Sequence, residues 1–280
     1  EGFTSFYDDV TLARAGVIEP QKYLDIVAQN ISRLLQNAGR FKQSAAESSF
    51  DAWTKFYKQD ASATNNIVSY YTKGGIIALG LDLLLRKQSN EQVNLDTLMQ
   101  LLWKHYGVDE KGTPDDVIQN LCTTHFGIDV SEYLNRVVYG TDDVELASLV
   151  SEMGVNYAVR ARVSGEDKGG ASSLPAIKNQ LGATLKPATF GLTVMQVFEG
   201  LAAMKAGVLL NDVIIGLDGH IVNAQKLQRL LDNAQTSQVE LTLIRDGRLL
   251  TLPLEVTQAR KEMAYFEITD EEKLNQWLGK

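Results

Sequence analysis

Along the first 154 residues the apolar positions recur at helical spacing, broken into segments by residues that start or stop helices. Tyr23, Leu24, Ile26, Val27, Ile31, Leu34 and Leu35 mark one face of a helix. Pro20 suits its first position and Gly39 its stop. Asn94 is placed to cap a helix over 95–106 that Gly107 ends, and Thr113-Pro114-Asp115-Asp116 combines a cap, a proline and acids suited to the helix dipole. Gly127, Gly140 and Gly154 close further short segments. After a polar Gly/Ser-rich stretch at 164–173 the period changes, and 192–198, 213–217 and 239–244 read as strands. Asp218-Gly219 and Asp246-Gly247 are hairpin turns, and one helix over 224–233 follows the cap Asn223. The pattern predicts a multidomain chain in four stretches. An all-α region covers 1–154, a strand and linker 155–175, a small α+β domain 176–257, and a helical tail 258–280. The tail packs back through Trp277.

Composition narrows the function classes. The 280 residues carry 27 basic and 35 acidic side chains, a net charge of −8, which speaks against a phosphate-backbone (nucleic-acid) partner. The longest apolar run, 76–85, is interrupted by Asp82 and belongs in a buried helix rather than a membrane span. One cysteine, Cys122, forms no internal disulfide and leaves the compartment, cytoplasmic or periplasmic, open. It reads as a buried or half-buried thiol, and Trp53 and Trp103 as core. The three histidines, His105, His125 and His220, are scattered, and none has metal-ligand spacing with another. Glu1-Gly2-Phe3-Thr4-Ser5-Phe6-Tyr7 begins inside an amphipathic helix, so the chain reads as part of a longer protein.

The segment Gly200-Leu201-Ala202-Ala203-Met204-Lys205-Ala206-Gly207-Val208-Leu209-Leu210-Asn211-Asp212-Val213-Ile214-Ile215-Gly216-Leu217-Asp218-Gly219 resembles the PDZ signature. Asn211 stands where the family usually has glycine before Asp212, which requires a left-handed asparagine. The resemblance covers about 180–256. It implies a domain that adds a peptide strand to a sheet edge and captures its C-terminal carboxylate on loop amides. The carboxylate loop then falls at Leu181, Gly182, Ala183 and Thr184, with a groove between that strand and the helix bearing Leu227 and Leu231. The alternative is a groove that is shielded, the domain serving to pack on its neighbour.

Glu1-Gly2-Phe3-Thr4-Ser5-Phe6-Tyr7-Asp8-Asp9 resembles the third-ligand segment of thermolysin-clan (gluzincin) zinc peptidases, and more closely the glycyl aminopeptidases, metallopeptidase family sixty-one. Further matching segments are Ala45-Ala46-Glu47-Ser48-Ser49-Phe50-Asp51-Ala52-Trp53, Val68-Ser69-Tyr70-Tyr71-Thr72-Lys73-Gly74 and Val138-Tyr139-Gly140-Thr141-Asp142. In that family a PDZ domain follows in the same order, so the resemblance spans essentially the whole chain. It implies that 1–154 is the helical, C-terminal half of a thermolysin-like catalytic region. Glu1 would be a zinc ligand, Asp8 or Asp9 would support it from behind, and Tyr71 would donate to the oxyanion, with Tyr70 the competitor. Catalytic zinc takes three protein ligands, and in this clan two come from an H-E-x-x-H helix whose glutamate is the general base. No H-E-x-x-H occurs in this sequence. The resemblance thus implies a zinc aminopeptidase acting on peptides with small N-terminal residues, inactive as this chain alone. The competing reading is a non-catalytic PDZ scaffold from a degenerate homologue.

Overall fold

The structure, a computed structural model, describes residues 1–279. Nine helices come first: α1 (Gly2–Arg14), α2 (Pro20–Gln36), α3 (Ala45–Phe50), α4 (Ala63–Asn66), α5 (Tyr70–Ser89), α6 (Leu95–Leu102), α7 (Val117–Leu121), α8 (Ser131–Leu134) and α9 (Leu146–Val150). The chain continues through β1 (Val155–Arg160), β2 (Asn179–Gln180), β3 (Ala183–Ala188), β4 (Gly191–Val197), α10 (Ala202–Lys205), β5 (Val213–Leu217) and β6 (His220–Ile221). It ends with α11 (Ala224–Asp232), β7 (Gln238–Arg245), β8 (Arg248–Glu255), β9 (Thr257–Gln258), β10 (Met263–Ile268) and α12 (Glu271–Leu278).

Helix α5 is the axis of the first region. Together with α4, over Ala63–Ser89, it is long and apolar enough to cross a membrane by length and composition, but much of that stretch is buried inside the protein. Ile76, Leu79, Leu81, Leu83 and Leu85 pack against Phe6 and Val10 of α1 and Tyr23, Leu24 and Ile31 of α2. Asp82, within that apolar run, is wholly buried and fully engaged. It pairs with Arg86 Nε at 2.9 Å and accepts from the Leu95 amide at 2.9 Å and from Trp277 Nε1 at 3.2 Å. One carboxylate therefore ties α5 to α6 and to the last helix.

The C-terminal tail belongs to this first region. Strand β10 pairs antiparallel with β1, and Ala264, Phe266, Leu274, Trp277 and Leu278 join the same core. Trp277 meets the Tyr23 ring edge-on at 5.9 Å. Asp270 caps α12, accepting from the amides of Glu272 and Lys273. The tail is thus a strand before it is a helix, because Met263, Ala264 and Phe266 must reach the core across β1. The Gly/Ser stretch is anchored: Asp167 accepts from Arg160 at 2.6 Å and from the amides of Val163 and Gly169, and Gly170 donates to Ala264.

Several helix boundaries differ from the sequence pattern. Helix α2 ends at Gln36, before Gly39, which sits in a 3₁₀ turn where a side chain would strike the backbone of Ile67. Thr113-Pro114 precedes a turn, and α7 begins only at Val117. Helices α6, α7 and α8 each run on into a wider π-type turn, over Trp103–Gly107, Cys122–Phe126 and Asn135–Tyr139. Trp53 and Trp103 are not core residues: they are 79% and 67% exposed. Cys122 is fully buried, and burial pushes its thiol up to about 11.

Between the two halves of the first region lies a sheet ordered β3-β4-β5-β7-β8, with β6 paired to β5. Its core collects Leu192, Val194, Ile214, Leu217, Leu241, Leu243 and Leu254, with Leu227 and Leu231 from α11. Both Asp-Gly hairpin turns have positive φ at both residues, as a type I′ turn requires, and Asn211 is left-handed at φ 69°. Asp212 is gripped bidentately by Arg245 at 2.7 and 2.8 Å. The two regions meet at the end of β4. Asn65 donates to Val197 O at 2.8 Å and accepts from the Glu199 amide at 2.9 Å, and Lys42 pairs with Glu199.

Candidate active site and peptide groove

The N-termini of α1 and α5 are brought together by glycine. A Cβ on Gly2 would lie 2.7 Å from the Gly74 carbonyl oxygen, and one on Gly74 would lie 2.9 Å from the Gly2 Cα. Any side chain at either position would push the helices apart. Their crossing places Glu1, at the start of α1, beside the first turn of α5. Glu1 is exposed, and its side chain caps none of the first-turn amides. Ser69 caps α5 by accepting from the Thr72 amide at 3.1 Å, so Tyr70 and Tyr71 stand on a fixed turn.

Both tyrosines meet a third, Tyr57. Tyr57 Oη lies 2.6 Å from Tyr71 Oη and 2.9 Å from Tyr70 Oη. The Tyr70 and Tyr71 rings stack at 4.4 Å, and Phe56 packs on both. The hydrogen bond with Tyr57 holds the Tyr71 hydroxyl above the ordinary tyrosine range, and the Glu1 charge adds to this. The same contact with Tyr57 raises Tyr70. Both phenols are therefore neutral donors near neutrality.

Behind Tyr71 a cleft of about 230 Å³ runs between α1, α2 and α5, lined by Ser5, Asp8, Asp9, Tyr23 and Asn30. Burial, and then the Asp8 charge, raise the Asp9 carboxyl above its usual range. Asn30 donates to Asp9 at 3.4 Å. The two acids stand seven and eight residues beyond Glu1, about 10 Å along a helix. Among the described residues neither is hydrogen-bonded to Glu1 or Tyr71. Both line the cleft, which Tyr71 and Thr72 also border.

Lys73 received no role from the sequence, although it stands in the quoted Tyr71-Thr72-Lys73-Gly74 segment. It is 1% exposed, and its Nζ donates to the Thr141 carbonyl at 3.2 Å, with Arg40 O at 3.5 Å. Burial, then the Arg40 charge, lower its pKa to about 8. It pins the first turn of α5 to the 138–142 segment. A lysine so close to a tyrosine pair offered no periodicity by which its burial could be read.

A catalytic zinc needs three protein ligands with a further position left open. Among the described residues no three His, Cys, Asp or Glu side chains converge. His105 and His125 lie 5.1 Å apart, but on the turns after α6 and α7 rather than on α1 or α5. Glu1, an exposed carboxylate free of capping bonds, has the chemistry of one ligand. The residues present fit one corner of a zinc site and no more.

In the second region, Gly182 has φ +81°, and a Cβ there would strike Leu201. The carbonyls of Leu181 and Gly182 accept from Ala203 and Phe198 at 2.8 and 2.9 Å. That leaves the loop held by its carbonyls and leading into β3, an edge strand paired only with β4. Ala183 and Thr184 open that strand. Leu227 and Leu231 do not line a groove: they are 3% and 2% exposed and belong to the core beneath α11. Helical spacing found the apolar face of α11 but not that this face points into the sheet.

Comparison with known proteins matches each region to a family. Residues 1–77 match the M61 glycyl aminopeptidase family, and residues 179–256 match the PDZ domain. A crystal structure of an aminopeptidase N family protein from Idiomarina loihiensis is 35% identical, superposes with a TM-score of 0.93, and is matched over 99% of this chain. The chain spans 48% of that protein's length. HhoA of Synechocystis sp., which bears the name of a serine protease, is 36% identical over 76 residues. That match covers 26% of this chain and 19% of HhoA, too little to carry its chemistry across. The chain thus joins a stretch similar to the M61 glycyl aminopeptidases to one similar to PDZ domains.

Proposed function

We propose that this chain forms one wall of the active site of a zinc metallo-aminopeptidase and carries a PDZ domain that binds free peptide C-termini. The observation that supports the reading is the Gly2–Gly74 crossing, which sets an unengaged carboxylate, Glu1, beside a neutral phenol, Tyr71. In this reading Glu1 is one zinc ligand, and two histidines and a general base come from an H-E-x-x-H segment outside this sequence. Zinc held there would supply a Lewis acid and a water of lowered pKa. The chain's own part is to position and to donate. Tyr71 gives its hydroxyl proton as a hydrogen bond to the carbonyl oxygen that gains negative charge, an interaction stronger in the transition state than in the ground state. Substrates with small N-terminal residues such as Gly or Ala follow from the family likeness.

The test is Glu1→Gln in the full-length enzyme. The amide keeps the shape and removes the anion, so zinc affinity should fall by roughly tenfold or more. Wild-type metal content together with wild-type activity would remove Glu1 from the ligand set. The 280-residue chain alone should neither bind zinc tightly nor hydrolyse aminoacyl anilides. Chelator-sensitive turnover by it would contradict the assignment.

A further inference from the structure

We propose that Tyr57 is a positioning residue for Tyr71: the hydroxyls of Tyr70, Tyr57 and Tyr71 form a directed chain that frees the Tyr71 proton for the reacting oxygen. The proposal rests on the reading of Tyr71 given above and adds a residue outside the four segments quoted for the family likeness.

The proposal follows from counting protons. Three phenols bring three protons to two contacts, 2.6 Å between Tyr57 and Tyr71 and 2.9 Å between Tyr57 and Tyr70. Either oxygen can donate in each. At 2.6 Å one must, since two facing lone pairs at that distance repel. When the Tyr71 proton turns toward a substrate oxygen, Tyr57 has to donate to Tyr71. Its single proton is then committed, and its oxygen is left to accept from Tyr70. Across these two contacts one order satisfies all three: Tyr70 to Tyr57, Tyr57 to Tyr71, Tyr71 to the oxyanion. With no substrate present the Tyr57–Tyr71 bond can run the other way and keep the Tyr71 proton stored.

Local contacts set the middle member, which is 49% exposed. Tyr57 stands on the 3₁₀ turn Phe56–Lys58, its amide bonded to Ala52 O at 2.9 Å and its ring against Trp53 and Phe56. Its hydroxyl thus approaches α5 from a separate element and does not move with Tyr71. Donation into the Tyr71 oxygen polarises the Tyr71 O–H and makes it a better donor, since hydrogen bonds in a chain strengthen one another.

Tyr57→Phe keeps the ring and removes only the hydroxyl. In the full-length enzyme it should lower kcat about tenfold, the size of one hydrogen bond, with KM within about twofold. The double variant with Tyr71→Phe should be no slower than Tyr71→Phe alone, because Tyr57 acts only through Tyr71. A second readout needs no metal. In this chain with ring-labelled tyrosine, the Tyr71 ring signals at neutral pH should shift in Tyr57→Phe, with unchanged thermal unfolding. Additive losses in the double variant, or Tyr71 ring signals unmoved by Tyr57→Phe, would overturn the chain. If Tyr71→Phe is crippled and Tyr57→Phe is not, the chain fails and the role of Tyr71 stands. If Tyr71→Phe itself is active, both fall.

Discussion

Helix α5 carries polar groups at both ends, and the two ends are built on opposite plans. Around Asp82 every bond is closed: Arg86, the Leu95 amide and the Trp277 indole take up the carboxylate in full burial. Around Tyr71 the bonds are left open: a carboxylate caps no amide, either oxygen can donate in each contact among three phenols, and Trp53 stands exposed against Tyr57. A buried charge is tolerated only when its partners are complete, so the Asp82 end can do nothing but hold the fold. Unused donors and acceptors at a rigid, accessible corner are what a site needs. The contrast separates a closed structural node from an open corner along a single helix.

Breaking the closed end should have the largest effect on stability. Asp82→Ala leaves buried Arg86 with Glu91 as its one remaining charge partner, at 3.0 Å, and chemical denaturation should show a loss of about 3 kcal/mol. Trp277→Phe, which removes one N–H donor and keeps the packing, should cost about 1 kcal/mol. A loss below that for Asp82→Ala would erase the distinction between the two ends.

The PDZ loop is a second open place, and titration with paired peptides sharpens the comparison there. Free-acid peptides should bind with micromolar-scale affinity and lose about tenfold or more when amidated, because charge-assisted bonds to the carboxylate are removed. Equal binding of the two forms would dismiss carboxylate capture. No binding of either would leave the domain a packing role.

Lys73 lies between the two plans and gives the smallest effect. Its folded pKa, about 8, is below the unfolded value of 10.5. Between those values the unfolded chain holds the proton and the folded chain does not, so stability rises with pH across that window. Wild-type stability measured against Lys73→Met should therefore improve from pH 8 toward pH 10. A flat difference would mean that the amine titrates normally.

The sequence disclosed the parts of this plan that depend on local spacing. The caps Asn94 and Asn223, the two Asp-Gly turns and the left-handed Asn211 are properties of a few adjacent residues, and the structure has each of them. Tyr71 and Glu1 were named from flanking likeness, and the structure brings them together across 70 residues. What spacing could not show is what depends on tertiary partners. Tyr57 became relevant only when its turn was placed against α5, and Lys73 only when the 138–142 segment covered it. Leu227 and Leu231 share the apolar face that spacing detected, but only the sheet decides that this face is core. Trp53 and Trp103 show the converse, since size and apolarity do not by themselves bury a ring.

The most direct test of the open corner is the kinetics of Tyr71→Phe in the full-length enzyme, with Tyr70→Phe alongside. Removing a donor used chiefly in the transition state should leave the fold and the metal content unchanged, lower kcat by about 10²–10³, and move KM little. Tyr70→Phe, one step further back, should lose only a few-fold. If Tyr71→Phe keeps most of its kcat, or if Tyr70→Phe is the more damaging change, Tyr71 is not the donor. If Tyr71→Phe mainly lowers the melting temperature, the corner is core and not a site.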